Sequence, residues 1–188
     1  MAKKDEIIEA ALDIICQDGV RSLTLPALFQ KARTGAGTFY HYFSGREELI
    51  EAVFDVCCAV AVDELTSFEQ LEGGAESRFG ALCQMLFRAY RVHPREMLFL
   101  YLYAYGYVRR LDKIEGTRSI PSIPLIAETI SQGQQEGSLS PHADPLVCAR
   151  AIRSSLASVY WSHCCGLCEI DDEAAAGFAC GCWRALSC

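Results

Sequence analysis

Apolar positions along this chain recur at three- and four-residue intervals almost throughout, the spacing of one face of an α-helix. In residues 5–17 they are Ile7, Ile8, Ala11, Ile14 and Ile15, with acids in the first turn and Asp18-Gly19 as a stop. Thr24 N-caps a second helix to about Ala32, with Pro26 in its first turn and Leu25, Leu28 and Phe29 turned inward. Arg33 and Thr34 form a tight turn, and a third helix opens at Gly35 or Ala36 and ends near Tyr42. Ser44, with Glu47 three residues on, reads as a capping box for a fourth helix reaching Leu65 or Phe68. Its apolar stripe is Leu49, Val53, Val56, Cys57 and Val60.

Five further helices follow. The first covers about 76–92 and stops at His93-Pro94, because the residue before a proline is pushed out of the helical region. The next runs from about 95 to 110, and a loop with two prolines covers Gly116 to Pro124. Leu125 to Gln135 is helical and stops at Gly137. Asp144-Pro145 caps and opens a long helix to about Cys164, which Gly166 breaks. Asp171 or Asp172 caps a last helix to the C-terminus. No strand-like alternation survives its flanking signals. The expected fold is all-α, about nine helices, with a helix–turn–helix domain in residues 1–46 and a larger helical domain in 47–188.

Composition changes this picture in one respect. The chain of 188 residues carries a net charge of −7, which taken whole argues against a nucleic-acid partner. The charge is unevenly placed. Residues 1–46 hold six Lys/Arg against five Asp/Glu, and residues 47–188 hold eleven against nineteen. The N-terminal part is therefore free to present a basic face. Acids follow Lys3-Lys4 at once, so no signal peptide is read, and no run of about 18 uncharged apolar residues exists. The chain reads as cytoplasmic and without a membrane partner. Its 11 cysteines then read as reduced thiols.

The stretch Thr24–Arg46 carries the candidate chemistry. Small residues Gly35, Ala36 and Gly37 at the start of the third helix allow close approach to a groove. Thr38, Tyr40, His41 and Tyr42 offer polar tips on rigid bodies for phosphates or base edges, while Phe39 and Phe43 fall on the opposite, core side. Arg33, Arg46 and the Thr24 cap add phosphate-facing groups. An aromatic cluster on a short helix is as often plain core, so the wider pattern decides. That pattern is I-I-x-A-A-L-x-I-I-x-x-x-G (7–19), L-T-L (23–25) and A-x-x-G-A-G-T-F-Y-H-Y-F-S-G-R-E-E-L-I (32–50). It resembles the TetR family of bacterial transcription regulators over about the first quarter of the chain.

The resemblance implies a homodimer that binds a double-stranded DNA operator through the three N-terminal helices, with a small-molecule effector bound in the other half. It places Thr38, Tyr40, His41 and Tyr42 at DNA and Arg46 at a phosphate. The family pattern has glycine where Arg33 stands, a small hydroxyl residue where Gly35 stands and a basic residue where Ala36 stands. Arg33 is thereby asked for a positive φ.

Three other features bear on function. The helix at 95–110 carries Phe99, Tyr101, Tyr103, Tyr105 and Tyr107; residues two apart on a helix point roughly 200° apart, so these cannot form one stripe. Phe99, Tyr103 and Tyr107, with Arg88, Trp161 and His163, are candidates for an effector pocket, against a plain core or interface role. His163, Cys165 and Cys168 form a C-x-x-C with a neighbouring His, a pattern for zinc or another soft metal, or for a thiol sensor, although it occurs once and in a Cys-rich chain. No cofactor is expected. The two last helices carry Ala151, Ser155, Ala157 and Ser158, and Ala174 to Ala176, Gly177 and Gly181, small residues that suit a four-helix dimer interface. No carboxylates are placed with a nucleophile in a catalytic set, so the chain is read as a regulator and not an enzyme. Most often such a protein is a repressor released by an apolar or aromatic ligand. A metal- or redox-sensing regulator and a helical enzyme or adaptor with an incidental helix–turn–helix are the competing readings.

Overall fold

The computed structural model describes residues 2–104 and 120–187. Among these are nine α-helices and no strand: α1 (Lys3–Asp18), α2 (Leu25–Lys31), α3 (Ala36–Tyr42), α4 (Arg46–Leu65), α5 (Ala75–Val92), α6 (Pro94–Ala104), α7 (Ser122–Gln135), α8 (Pro145–Cys164) and α9 (Asp172–Leu186). Short 3-10 turns occupy Val20–Ser22 and Phe68–Gln70.

The helix ends follow local chemistry. The Thr24, Asp144 and Asp171 side chains accept from the backbone N–H groups of Ala27, Val147 and Ala174 and so satisfy donors the first turn leaves free. Pro94 and Pro145 each open a helix where the missing N–H costs nothing. Three helices end in the same Schellman motif. In α7 and α8 the left-handed residue is Gly137 (φ +74°) or Gly166 (φ +71°). In α2 it is Arg33, at φ +47° the one non-glycine residue with positive φ among the described residues. There the Thr34 N–H reaches the Phe29 carbonyl at 3.0 Å and the Arg33 N–H reaches that of Gln30 at 3.4 Å.

Two expectations are corrected. The box at the start of α4 uses Glu48 rather than Glu47: its carboxylate accepts from both the backbone N–H and the hydroxyl of Ser44, each at 2.7 Å. The Gly45 carbonyl takes the first helical bond, so the helix starts one residue later than the sequence suggested. α7 begins at Ser122, and Pro124, read as loop, lies in its first turn. The end of the expected 95–110 helix lies outside the described residues.

The chain forms two compact units, Met1–Val60 with Arg95–Thr117, and Ala61–Pro94 with Arg118–Cys188. The first unit takes in about the first four turns of α4, as far as Val60. In the first unit the core holds Ile7, Leu12, Ile15, Leu28, Phe39, Phe43, Leu49, Val53 and Phe99. Arg95 ties α6 to α1: it pairs with Asp13 and with Glu9 at 3.2 Å. The Cys16 thiol donates to the Arg95 carbonyl at 3.3 Å. Burial pushes the Cys16 thiol up to about 12, and that of Cys57 still higher.

The second unit is built on Phe68, Phe79, Leu82, Phe87, Tyr90, Ile126, Ile130, Leu156 and Trp183. α5 is its hub, packing against both α7 and α9, and α8 packs on α7. Gly133 is required where α7 meets the neighbouring elements, since a Cβ there would stand 2.8 Å from both Leu139 and Trp183.

Candidate nucleic-acid interface

α3 has two faces. Phe39 and Phe43 are buried, with rings 5.7 Å apart, and Phe29 of α2 meets Phe39 at 5.7 Å. These rings fix α3 against α2. On the other face Gly35, Ala36, Gly37, Thr38, Tyr40 and His41 are exposed. Tyr42 is half-buried, its ring edge-on to His41 at 4.8 Å. A short helix thus carries a small, open N-terminal end followed by hydroxyl and imidazole groups, and among the described residues Tyr40 and His41 make ring contacts only. Such a face is suited to a groove lined by phosphates and base edges.

The flanking cations behave differently from one another. Arg33 is exposed at the turn. Arg46 is exposed but its Nη2 donates to the Val20 carbonyl at 2.6 Å, which anchors the start of α4 to the turn after α1 and leaves the rest of the guanidinium outward. Lys31 is engaged with Asp13 at 3.2 Å and Gln17 at 3.2 Å, and so serves the α1–α2 junction. Thr24 is exposed beside its cap bond. The seven residues read from the sequence as DNA-facing therefore all lie in the first unit, six of them exposed and Tyr42 half-buried.

The six effector-pocket candidates are not gathered in either unit. Phe99 and Tyr103 belong to the first; both are buried, and the Tyr103 hydroxyl donates to the Glu51 carboxylate at 3.1 Å while its ring lies 4.2 Å from Phe54. Arg88, Trp161 and His163 belong to the second. Arg88 is exposed and 3.7 Å from Glu64, and Trp161 is 57% exposed. Tyr107 lies outside the described residues. His163 Nδ1 is 3.0 Å from the Cys168 carbonyl, and Cys165 and Cys168 are exposed. Among the described residues no three His, Cys, Asp or Glu side chains are grouped to hold a metal ion, and the ten described cysteines are thiols rather than disulfides.

One residue in the second unit escaped the sequence reading. Arg153 of α8 is 5% exposed, the one buried charged side chain among the described residues. Its Nη1 donates to the Tyr90 hydroxyl and its guanidinium lies 5.4 Å from the centre of the Tyr90 ring. Among the described residues no carboxylate pairs with it, and its Nε has no acceptor. A buried guanidinium without a counter-charge costs several kcal/mol. The signal was present: Arg153, Leu156 and Tyr160 fall at i, i+3 and i+7 on the apolar face of α8.

The fold and this face define a helix–turn–helix protein. Residues 7–53 match the family model described as "Bacterial regulatory proteins, tetR family". A regulator of helix–turn–helix type from Bacillus subtilis, YvdT, is 32% identical over 63 residues, which span 34% of this chain and 32% of that protein, so about a third of the curated relative is matched. A tetR family transcription regulator from Shewanella sp. PV-4 shares the fold at a TM-score of 0.78 and 19% identity, covering 100% of both chains. AibR, solved with isovaleryl coenzyme A and operator DNA, does so at 0.70 and 20%, over 99% of this chain and 98% of its own. Residues 7–53 are thus similar to the TetR family, and the chain as a whole shares the fold of these solved regulators. No described helix is long and apolar enough to cross a membrane.

Proposed function

We propose that this protein is a transcriptional regulator, a repressor that binds operator DNA as a homodimer and leaves it when a small apolar or aromatic ligand binds the helical half. The observation that carries the DNA reading is the division of α3, with Phe39 and Phe43 buried and Thr38, Tyr40 and His41 presented to solvent. Thr24, Arg33, Tyr42 and Arg46 frame that face and supply phosphate contacts. Gly35 and Ala36 carry no long polar side chain, so Thr38, Tyr40 and His41 do most of the base reading and the framing residues most of the affinity.

The dimer is formed by α8 and α9. α8 leaves Val147, Ala151, Ser155 and Ser158 exposed, and α9 leaves Ala176, Gly177 and Gly181 exposed. Two copies of such small-residue faces pack closely about a two-fold axis and set two α3 helices about 34–36 Å apart, one turn of DNA. The ligand acts by shifting the population between two spacings. AibR, with an acyl coenzyme A and operator DNA in one crystal, supports pairing a ligand with DNA in this fold.

The test is a gel-shift or anisotropy titration with the DNA flanking the gene that encodes this chain, at stated salt. Sequence-preferring binding that weakens when Tyr40 is replaced by Ala, with thermal stability retained, supports the reading. Binding that is absent, or indifferent to Tyr40 and His41, defeats it.

A further inference from the structure

We infer that Arg21 and Arg46 together clamp one backbone phosphate of the bound DNA. The inference rests on the regulator reading above and adds to its DNA face a residue in the three positions, 20–22, that the TetR pattern leaves open. The described cations of the first unit fall into two groups. Lys3 pairs with Glu6 at 2.7 Å, Lys31 with Asp13 at 3.2 Å, and Arg95 with Asp13 and Glu9. Lys4 lies over the Phe43 ring at 5.8 Å, with Glu48 in Coulombic range. Arg21, Arg33 and Arg46 are exposed and have no acidic partner among the described residues, although Asp18 and Glu47 are close in the chain. Arg33 and Arg46 already belong to the DNA-facing set, and Arg21 is the third of the same kind.

Arg21 stands on a fixed turn. In Val20–Ser22 the Leu23 N–H donates to the Val20 carbonyl at 3.3 Å, and the Ser22 hydroxyl donates to the Asp18 carbonyl at 2.9 Å. Leu23, which ends the turn, is buried. The Val20 carbonyl also accepts from Arg46 Nη2 at 2.6 Å. That carbonyl belongs to the peptide joining Val20 to Arg21, so the Arg46 guanidinium is held at the root of the Arg21 side chain. The remaining N–H donors of Arg46 stay free for another acceptor. Two cations set side by side repel in the free protein, and a phosphate between them turns both interactions into attractions. Thr24, the exposed N-cap of α2, follows Arg21 by three residues. Arg21 and Arg46 both lie outside α3, which makes them groups that position the duplex while α3 reads it.

The experiment is an anisotropy titration of the full chain across a salt series, with the DNA flanking its gene and with a scrambled duplex of the same length. Arg21→Gln should weaken binding to both duplexes by the same factor, about threefold or more, and lower the salt slope by about one for each bound subunit. Arg21→Lys, which keeps a point charge, should keep the slope. Arg150→Gln, which removes an equal charge from an exposed position on α8, should change neither affinity nor slope. Arg21→Gln and Arg46→Gln together should cost less than the product of their separate losses, because the two side chains share a phosphate. The melting temperature of Arg21→Gln should not fall. Inorganic phosphate should raise the wild-type melting temperature no more than chloride does at the same ionic strength. A rise that Arg21→Gln abolishes while DNA affinity is kept would make this a site for a free anion and overturn the inference. Unchanged affinity in Arg21→Gln, a loss confined to one duplex, an equal loss in Arg150→Gln, or losses that multiply in the double variant also overturn it. A wild type that binds neither duplex removes the regulator reading as well. Binding that is weakened by Tyr40→Ala and not by Arg21→Gln removes this inference alone.

Discussion

Phe39 and Tyr40 are neighbours in α3 with their rings edge-on at 5.1 Å, yet Phe39 is 0% exposed and Tyr40 is 56% exposed. A single step along the helix, about 100° of rotation, thus separates the residue that holds the fold from the residue offered to a partner. Truncation separates the two roles. Phe39→Ala should destabilise the protein by about 3–5 kcal/mol, by lost burial and the cavity left between Phe29 and Phe43. Tyr40→Ala should leave the melting temperature within a degree or two and weaken operator binding by about 1–3 kcal/mol. Differential scanning fluorimetry beside a binding titration checks both.

Arg33 occupies the left-handed position that Gly137 and Gly166 fill at the ends of α7 and α8. An arginine there carries a strain that glycine does not, and its side chain is exposed, so little packing is lost on removal. Arg33→Gly should therefore stabilise the fold by about 0.5–1 kcal/mol in denaturant titration. If Arg33 holds a phosphate, the same change should weaken DNA binding evenly across sequences and reduce the salt slope by about one. A gain in stability with a loss of affinity would explain why the strained residue is present.

The Arg95–Asp13 pair makes the first unit acid-sensitive. Partial burial raises the Asp13 carboxyl, but hydrogen bonds from Arg95 and Lys31 outweigh it and leave it below the ordinary carboxylate range. A depressed carboxyl contributes stability that is present above its unfolded value, about 3.9, and lost as pH falls through the lower folded value. Asp13→Asn should cost about 1 kcal/mol at pH 7, in keeping with a part-exposed pair. The difference from wild type should shrink as pH falls below about 4 and vanish once the folded carboxyl is itself protonated. Denaturant midpoints at pH 7 and pH 3 give the comparison.

Most of the fold was legible because its punctuation is local. Thr24, Asp144-Pro145, Asp171 and His93-Pro94 mark helix ends through bonds to residues three or four positions away, and the helices they bound appear within two residues of the expected ends. The misses at Glu48 and Pro124 are of the same local kind: a helix start displaced by one residue, and a proline in a first turn that tolerates it. The division of α3 was legible for another reason, since the helix is short enough for its buried and open faces to be told apart by Phe39 and Phe43 alone. An aromatic pocket is a matter of packing rather than of local signals. It required side chains from Phe99 to His163 to converge in three dimensions, and helical periodicity says nothing of which helices meet. Arg153 was passed over because a cation on an apolar face is ordinarily read as snorkelling to solvent.

The α9 face gives a test of the proposed dimer that the subunit itself should survive. A Cβ at Gly177 or Gly181 would meet nothing within 4 Å. Gly181→Arg should therefore fold normally and gain up to about 1 kcal/mol of helix propensity from the loss of a mid-helix glycine. In solution the wild type should run at about twice its 20.8 kDa mass at micromolar concentration, and Gly181→Arg as a monomer. Sedimentation equilibrium on both reads this without DNA. A wild type that remains monomeric would remove the dimer, and with it the paired recognition helices.

The cysteines divide by environment, and their reactivity should follow. Cys164, Cys165, Cys168 and Cys180 are exposed, while Cys57 and Cys83 are buried and Cys16 is half-buried. Burial pushes the thiols of Cys16 and Cys83 up to about 12, so neither supplies thiolate near neutral pH. A thiol reagent at pH 8 should modify the four exposed cysteines quickly in the native protein and reach Cys16, Cys57 and Cys83 only after denaturation. Mass spectrometry of the early products identifies the sites. If oxidation of the exposed group controls the regulator, operator binding should fall as those four react and return with reductant. If DNA binding is unchanged once they are fully modified, the redox-sensing alternative is removed, and the switch is left to the ligand.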